Sequence, residues 1–192
     1  MLRKSIVIIL SLVLIISFVA CTGNDVENNV PEENGEQQNE ENNNDIVNPE
    51  PEENLEEIVL YFADDQAMNL VKSKVKVELG NKTLEEVVLE KLKEGPESEE
   101  LIKTIPSQVE IISVEVVDNT AFVNLSSKNL HGGSTMETFL IASIVKSLTE
   151  IDYIDKVQFL VDGKKRETLM GHIMIKDPFT SEEVEQFVNT KE

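Results

Sequence analysis

The chain has one cysteine in 192 residues, Cys21, so no disulfide can close within it. A lone thiol either pairs with another chain or is consumed by a modification. Histidine is equally scarce. His131 and His172 lie far apart, neither stands at i, i+3 or i, i+4 from another strong ligand, and structural or surface roles are expected for both. No metal site and no cofactor are expected. The chain also lacks any G-x-S-x-G nucleophile elbow, so the run His131-Gly132-Gly133-Ser134, whose amides would suit an oxyanion hole, has no nucleophile to serve. Asp64-Asp65 lacks the alternating acidic ligands of a calcium loop and reads as a turn. No catalytic residue emerges, and nothing in the sequence is positive evidence of an enzyme. Basic charge is short throughout: 17 Lys and Arg face 37 Asp and Glu, a formal charge of −20. Thr22 to Glu57 holds 13 acidic and no basic residues, and Ile58 to Glu192 holds 24 acidic and 15 basic, a net of −9. Neither part offers the basic surface that neutralises phosphates, which argues against nucleic acid as a partner.

The N-terminus carries a basic pair (Arg3, Lys4), an almost unbroken apolar run from Ile6 to Val19, and then Ala20. That is the plan of a secretory signal peptide. The run is short beside the roughly 20 apolar residues of a spanning helix, and a very polar tract follows at once. With Cys21 directly after Ala20, the stretch Phe18-Val19-Ala20-Cys21 resembles a bacterial lipobox. The resemblance implies a diacylglyceryl group on the Cys21 sulfur, a cut just before it, and a mature protein held on the outer face of the plasma membrane of a Gram-positive-type cell. Thr22 to Asn54 is dominated by Asn, Glu and Gln, with Pro31, Pro49 and Pro51 and isolated apolar residues such as Val26 and Ile46. Such a stretch buries too little apolar surface to offset its ordering entropy. It reads as a tether with a root-mean-square reach of roughly 30 Å. The expected organisation is therefore a signal peptide over 1–20, an acidic tether over 21–55 and one folded domain over 56–192.

Within the domain, Ile58-Val59-Leu60-Tyr61-Phe62 reads as a buried strand. From Val71 the residues alternate, with Val75, Val77 and Leu79 on one face and Lys72, Lys74 and Lys76 on the other. The lysine row reads as a guard against edge-to-edge pairing rather than a site for an anionic partner. Thr83 and Glu86 form a capping-box pattern for a helix with Leu84, Val87, Val88 and Leu92 on its apolar stripe, stopped by Gly95-Pro96. Val109 to Val117 and Thr120 to Leu125 meet across Asp118-Asn119 as a β-hairpin. Ser134 and Glu137 give a second capping-box pattern after Gly132-Gly133. It predicts a well-buried helix with Met136, Phe139, Leu140, Ile144 and Leu148 inward. The free amides of Gly132, Gly133 and Ser134 are a candidate anion or ligand contact, which the same capping pattern opposes. Val157 to Val161 predicts another strand, followed by a turn at Asp162-Gly163 and a solvated basic loop, Lys164-Lys165-Arg166. An apolar segment Ile173 to Ile175 and a short C-terminal helix from Thr180 complete the domain. The expected fold is α+β: a mixed sheet of about five to six strands packed against two main helices, plus the short third one.

The landmarks Leu60-Tyr61-Phe62, Gly95-Pro96, Ile105-Pro106, Val123-Asn124-Leu125-Ser126, Gly133 with Glu137, Ser147-Leu148-Thr149, and Phe159-Leu160-Val161-Asp162-Gly163 with Gly171 and Pro178 occur in an order that resembles the GerMN domain of sporulation and germination lipoproteins. Asn124 stands where that family commonly has aspartate. The family is similar to the ring-building α+β modules of secretion machinery. The resemblance implies a non-catalytic role in assembling or positioning an envelope protein complex. The alternative from another class is a module that binds peptidoglycan or an anionic polymer.

Overall fold

The computed structural model describes residues 55–191. The signal segment, Cys21 and the tether lie outside the described residues. The elements run β1 (Leu55–Asp64), β2 (Asn69–Glu78), α1 (Leu84–Glu94), β3 (Leu101–Ile102), β4 (Ile111–Val117), β5 (Thr120–Leu125), α2 (Ser134–Leu148), β6 (Lys156–Val161), β7 (Phe179–Thr180), α3 (Ser181–Val184) and β8 (Asn189–Lys191). The class is α+β, with two substantial helices and a short third one. The strands divide between two mixed four-stranded sheets, β3-β1-β2-β8 and β4-β5-β6-β7, where one sheet of five or six was expected. Three of the added strands are only two or three residues long, too short to show any alternation.

Each long element follows from its residues. In β1 every residue from Leu60 to Ala63 is buried, as its continuous apolar run implies. In β2 only Leu70 and Val77 are buried, and the lysine row meets acids: Lys74 bonds Glu57 of β1 at 2.6 Å and Lys72 bonds Glu150 at 3.3 Å. Thr83 caps α1, its N–H donating to the Glu86 carboxylate at 2.9 Å. Gly95 ends the helix at φ 102°, a conformation in which a side chain would be strained. The β4–β5 turn places Asp118 and Asn119 at φ 48° and 57°, the left-handed pair that a two-residue hairpin needs.

Helix α2 is the centre of the domain. It is buried around its whole girth from Phe139 to Leu148, as expected of a helix enclosed by other elements, and it touches β1, β6, α1 and α3. Ser147 of α2 accepts the Tyr61 main-chain N–H at 3.0 Å, and Lys146 lies 5.4 Å from the centre of the Tyr61 ring. The loop beyond α2 is tied to α1, where the Tyr153 hydroxyl donates to Glu85 at 2.8 Å. Burial and that glutamate push the tyrosine pKa up to about 12. One contiguous apolar core joins residues of both sheets and all three helices.

At the C-terminus, Thr180 caps α3 with Glu183, and Val184 and Val188 are buried while Phe187 stays 39% exposed. The chain then returns as β8, parallel to β2 through Asn69–Val71. Asp64 anchors this junction. It accepts from the main-chain N–H groups of Met68 and Asn69 and from the Asn69 amide, and it pairs with Lys191 at 3.0 Å. The Asn69 side chain first, then the Met68 N–H, hold its carboxyl well below the usual range. Asp64-Asp65 is thus a turn, as expected. Glu57 beside Lys74, Asp162 beside Ser127 and Glu167 beside Lys176 are lowered too. A carboxyl whose folded pKa is depressed stabilises the fold above its unfolded value, about 3.9 to 4.3, and loses that contribution as pH falls through the folded value. The thermal midpoint is therefore expected to fall as pH drops from about 5 towards 2. Asp64→Asn should lie below the parent at neutral pH and converge with it in acid, in paired melts across that range.

Candidate functional site

The region singled out by the glycine run is built where α2 begins. Gly133 is the N-cap residue at φ −83°, so Ser134 is the first helical residue and caps nothing. The Ser134–Glu137 capping box is therefore not formed. The helix starts one residue earlier than a Ser134 cap would allow, and Glu137, spaced i+3, i+4 and i+7 from Leu140, Ile141 and Ile144, shares their stripe and turns its side chain inward. Met136, expected in that stripe, stands 38% exposed instead.

Glu137 is fully buried, and its carboxylate is spent on the loop that follows β6. One oxygen accepts from the main-chain N–H groups of Leu169 at 3.0 Å and Met170 at 2.8 Å, and the other from His172 at 2.8 Å. A buried carboxylate needs such donors, and its place in the first turns of α2 suits its charge to the helix dipole. The His172 ring returns to the same place, with Nε2 3.2 Å from the Gly132 carbonyl oxygen. Gly132 is small for a packing reason: a Cβ there would meet the sulfurs of Met136 at 2.5 Å and Met170 at 3.0 Å. Around Gly133 there is open space.

Beside this tie stands a second one. Asn124 of β5 accepts the Gly163 N–H at 2.8 Å, and Asp162 accepts the Ser127 N–H at 3.0 Å. An amide oxygen serves this bond as a carboxylate would, which explains how asparagine fills a position where aspartate is common. The turn itself has Asp162 at φ 50° and Gly163 at φ 74°, and it closes on paired bonds between Val161 and Lys164.

Among the candidate residues, Gly132, Gly133 and Ser134 are thus brought beside Glu137, His172 and the 168–172 loop, while His131 is exposed and makes no site with Ser134. Next to the loop lies an open depression of about 730 Å³ lined by Leu130, Lys165, Arg166, Thr168, Met170 and Lys176. Its cations are largely engaged: Lys176 pairs with Glu167 at 2.7 Å, and Arg166 lies 3.9 Å from Asp162. Among the described residues no cluster of His, Cys, Asp and Glu could hold a metal ion, and no helix is long and apolar enough to cross a membrane. Sequence reasoning missed the role of Glu137. The signal that would have found it is an acidic residue at i, i+3, i+4 and i+7 from Leu140, Ile141 and Ile144, inside an otherwise apolar stripe.

The arrangement defines a class: an α+β domain whose polar landmark residues accept main-chain N–H groups of the same domain, with Glu137 fastening the loop after β6 onto the start of a central helix. The chain belongs to the Germane family, described as sporulation and spore germination, whose model matches residues 59–167. Solved structures agree on the fold. The first GerMN domain of the sporulation protein GerM from Bacillus subtilis superposes with a TM-score of 0.56 at 20% identity, over 66% of this chain and 98% of that one. The tandem GerMN domains of the same protein give 0.53 at 18% identity, over 66% of this chain and 45% of that two-domain chain. A Clostridium perfringens chain described as a candidate lipoprotein is 25% identical, over 67% of this chain and 89% of that one, with a TM-score of 0.49. No curated protein matches the chain.

Proposed function

We propose that this chain is a lipid-anchored extracytoplasmic protein whose GerMN domain, without catalysis, holds an envelope protein complex in place at the outer face of the plasma membrane during sporulation or germination. Residues 1–20 direct export, Cys21 carries the lipid, and the acidic stretch 21–55 sets the domain off the membrane. The observation that carries the non-catalytic reading is the use of the landmark polar groups. Glu137, Asn124 and Asp162 each accept main-chain N–H groups of their own domain, so they hold a shape rather than face a substrate. Family membership supplies the setting, and the lone cysteine after an export signal supplies the address. The test is affinity capture of the full chain from sporulating and from vegetative membranes. The expected result is a discrete envelope protein enriched from the sporulating cells. Capture of no protein from either, under conditions that preserve membrane complexes, would overturn the reading.

A further inference from the structure

Two thioethers and an imidazole meet around Gly132. The position that a Cβ would take on this residue lies 2.5 Å from the Met136 sulfur and 3.0 Å from the Met170 sulfur, so the two sulfurs stand no further apart than those distances together. The His172 ring joins them, with Nε2 3.2 Å from the Gly132 carbonyl oxygen. That oxygen can only accept, so Nε2 carries the proton and, in the neutral ring, the Nδ1 lone pair is available. A ring N–H given to a main-chain carbonyl is how metal-binding imidazoles are commonly oriented. Packing alone does not account for the group. Methionine fills gaps in cores, yet Met136 is 38% exposed, Met170 is half-buried at the rim of the open depression, and His172 is exposed. The main chain beneath the three side chains is fixed: Glu137 accepts the N–H groups of Met170 and His172, both at 2.8 Å, and Met136 directly precedes it in the first turn of α2.

We infer that Met136, Met170 and His172 form a binding site for a single soft cation, copper(I), with the two thioether sulfurs and the imidazole Nδ1 as its ligands. Thioether sulfur selects copper(I) over harder ions, and imidazole suits copper as well. Hard divalent ions need oxygen ligands and find few here. Both Glu137 oxygens are spent on N–H groups, and Lys165, Arg166 and Lys176 line the adjoining depression. Met170-Gly171-His172 supplies two ligands from one bend, with Gly171 at φ 104° turning the chain between them. The thioether arms have three rotatable bonds each, so side-chain rotation on a fixed backbone closes the three groups on the ion. The site is independent of which complex the protein serves.

The probe is copper(I) itself, offered to the full chain in detergent as a bicinchoninate complex whose colour fades as the metal leaves it. The parent chain is expected to withdraw one equivalent. The Met136→Leu, Met170→Leu double variant, close in volume and with Cys21 still in place, should bind at least about tenfold more weakly while its metal-free thermal midpoint stays unchanged. His172→Ala, at an exposed side chain, should weaken binding in the same way. X-ray absorption of the loaded parent should show sulfur neighbours at about 2.3 Å and an imidazole nitrogen at about 2.0 Å. No withdrawal of copper by the parent, parental affinity in the double variant or in His172→Ala, or displacement of copper(I) by an equal concentration of zinc(II) would each overturn the assignment.

Discussion

Glu137→Ala is expected to lower the stability of the domain by about 3 kcal/mol, the largest effect of any single polar side chain in it. Three main-chain N–H groups end on this carboxylate, and removing it leaves them without their acceptor. An orphaned buried donor costs about 1 to 3 kcal/mol, which applies in full to Leu169, and the losses at the part-buried Met170 and His172 bonds are smaller because water reaches them. For a domain of this size that corresponds to roughly 10 °C in thermal midpoint. Glu137→Gln keeps one acceptor oxygen but turns an NH2 group towards N–H donors, so it should recover part of the loss, with a cost of about 2 kcal/mol. Glu99→Ala, at an exposed loop position, should stay within about 0.5 kcal/mol of the parent. Denaturant melts of the three variants decide the matter: a Glu137→Ala cost below 1 kcal/mol would mean that the 168–172 loop is held by something else. Hydrogen exchange adds a local readout, since the Leu169, Met170 and His172 amides should lose protection before those of β5.

The second large effect concerns location. Cys21→Ala is expected to move the protein from the membrane to the soluble fraction, or to leave it as a longer precursor that still carries residues 1–20. At about 0.8 kcal/mol per buried methylene, two long acyl chains supply on the order of 20 kcal/mol of membrane affinity. No second thiol exists to take over the modification. The acidic surface gives no electrostatic substitute either, because anionic headgroups repel a chain of formal charge −20. Fractionation with immunodetection reads both outcomes, the shift of compartment and the change in mass. Normal maturation together with unchanged membrane retention would refute the anchor.

Much of the architecture was legible because its elements are long and obey one period. The Thr83 cap, the alternation from Val71, the Asp118-Asn119 turn and the apolar girth of α2 each have a local cause written within a few residues. What could not be read is non-local. Strands β3, β7 and β8 are two or three residues long and exist only because a neighbour offers a free edge. Their pairing extends the edges of two groups of long strands, β1-β2 and β4-β5-β6, which share no ladder although one sheet was expected. The start of α2 shows the same limit on a finer scale. The pattern Ser134-x-x-Glu137 is a sound cap signature, but tertiary donors some 32 to 35 residues away outbid the local amide for the glutamate, and the helix begins at a glycine cap instead. Gly132, Gly133 and Ser134 lie beside Glu137, whose local pattern assigned it to the cap and whose tertiary partners give it a different task.

The tie between α2 and the loop also sets an order of assembly. A chain made from its N-terminus completes β1 to α2 before Leu169, Met170 and His172 exist, so until they arrive the most central helix carries a carboxylate facing a half-built interior. The piece that ends at residue 167, where the family match ends, lacks all three donors to Glu137. Residues 168–191 act as a keystone: they supply the three N–H donors to the fully buried Glu137 carboxylate, and strand β8 closes onto β2. On the export route proposed above, this arrangement postpones the finished core until the 168–172 loop has followed.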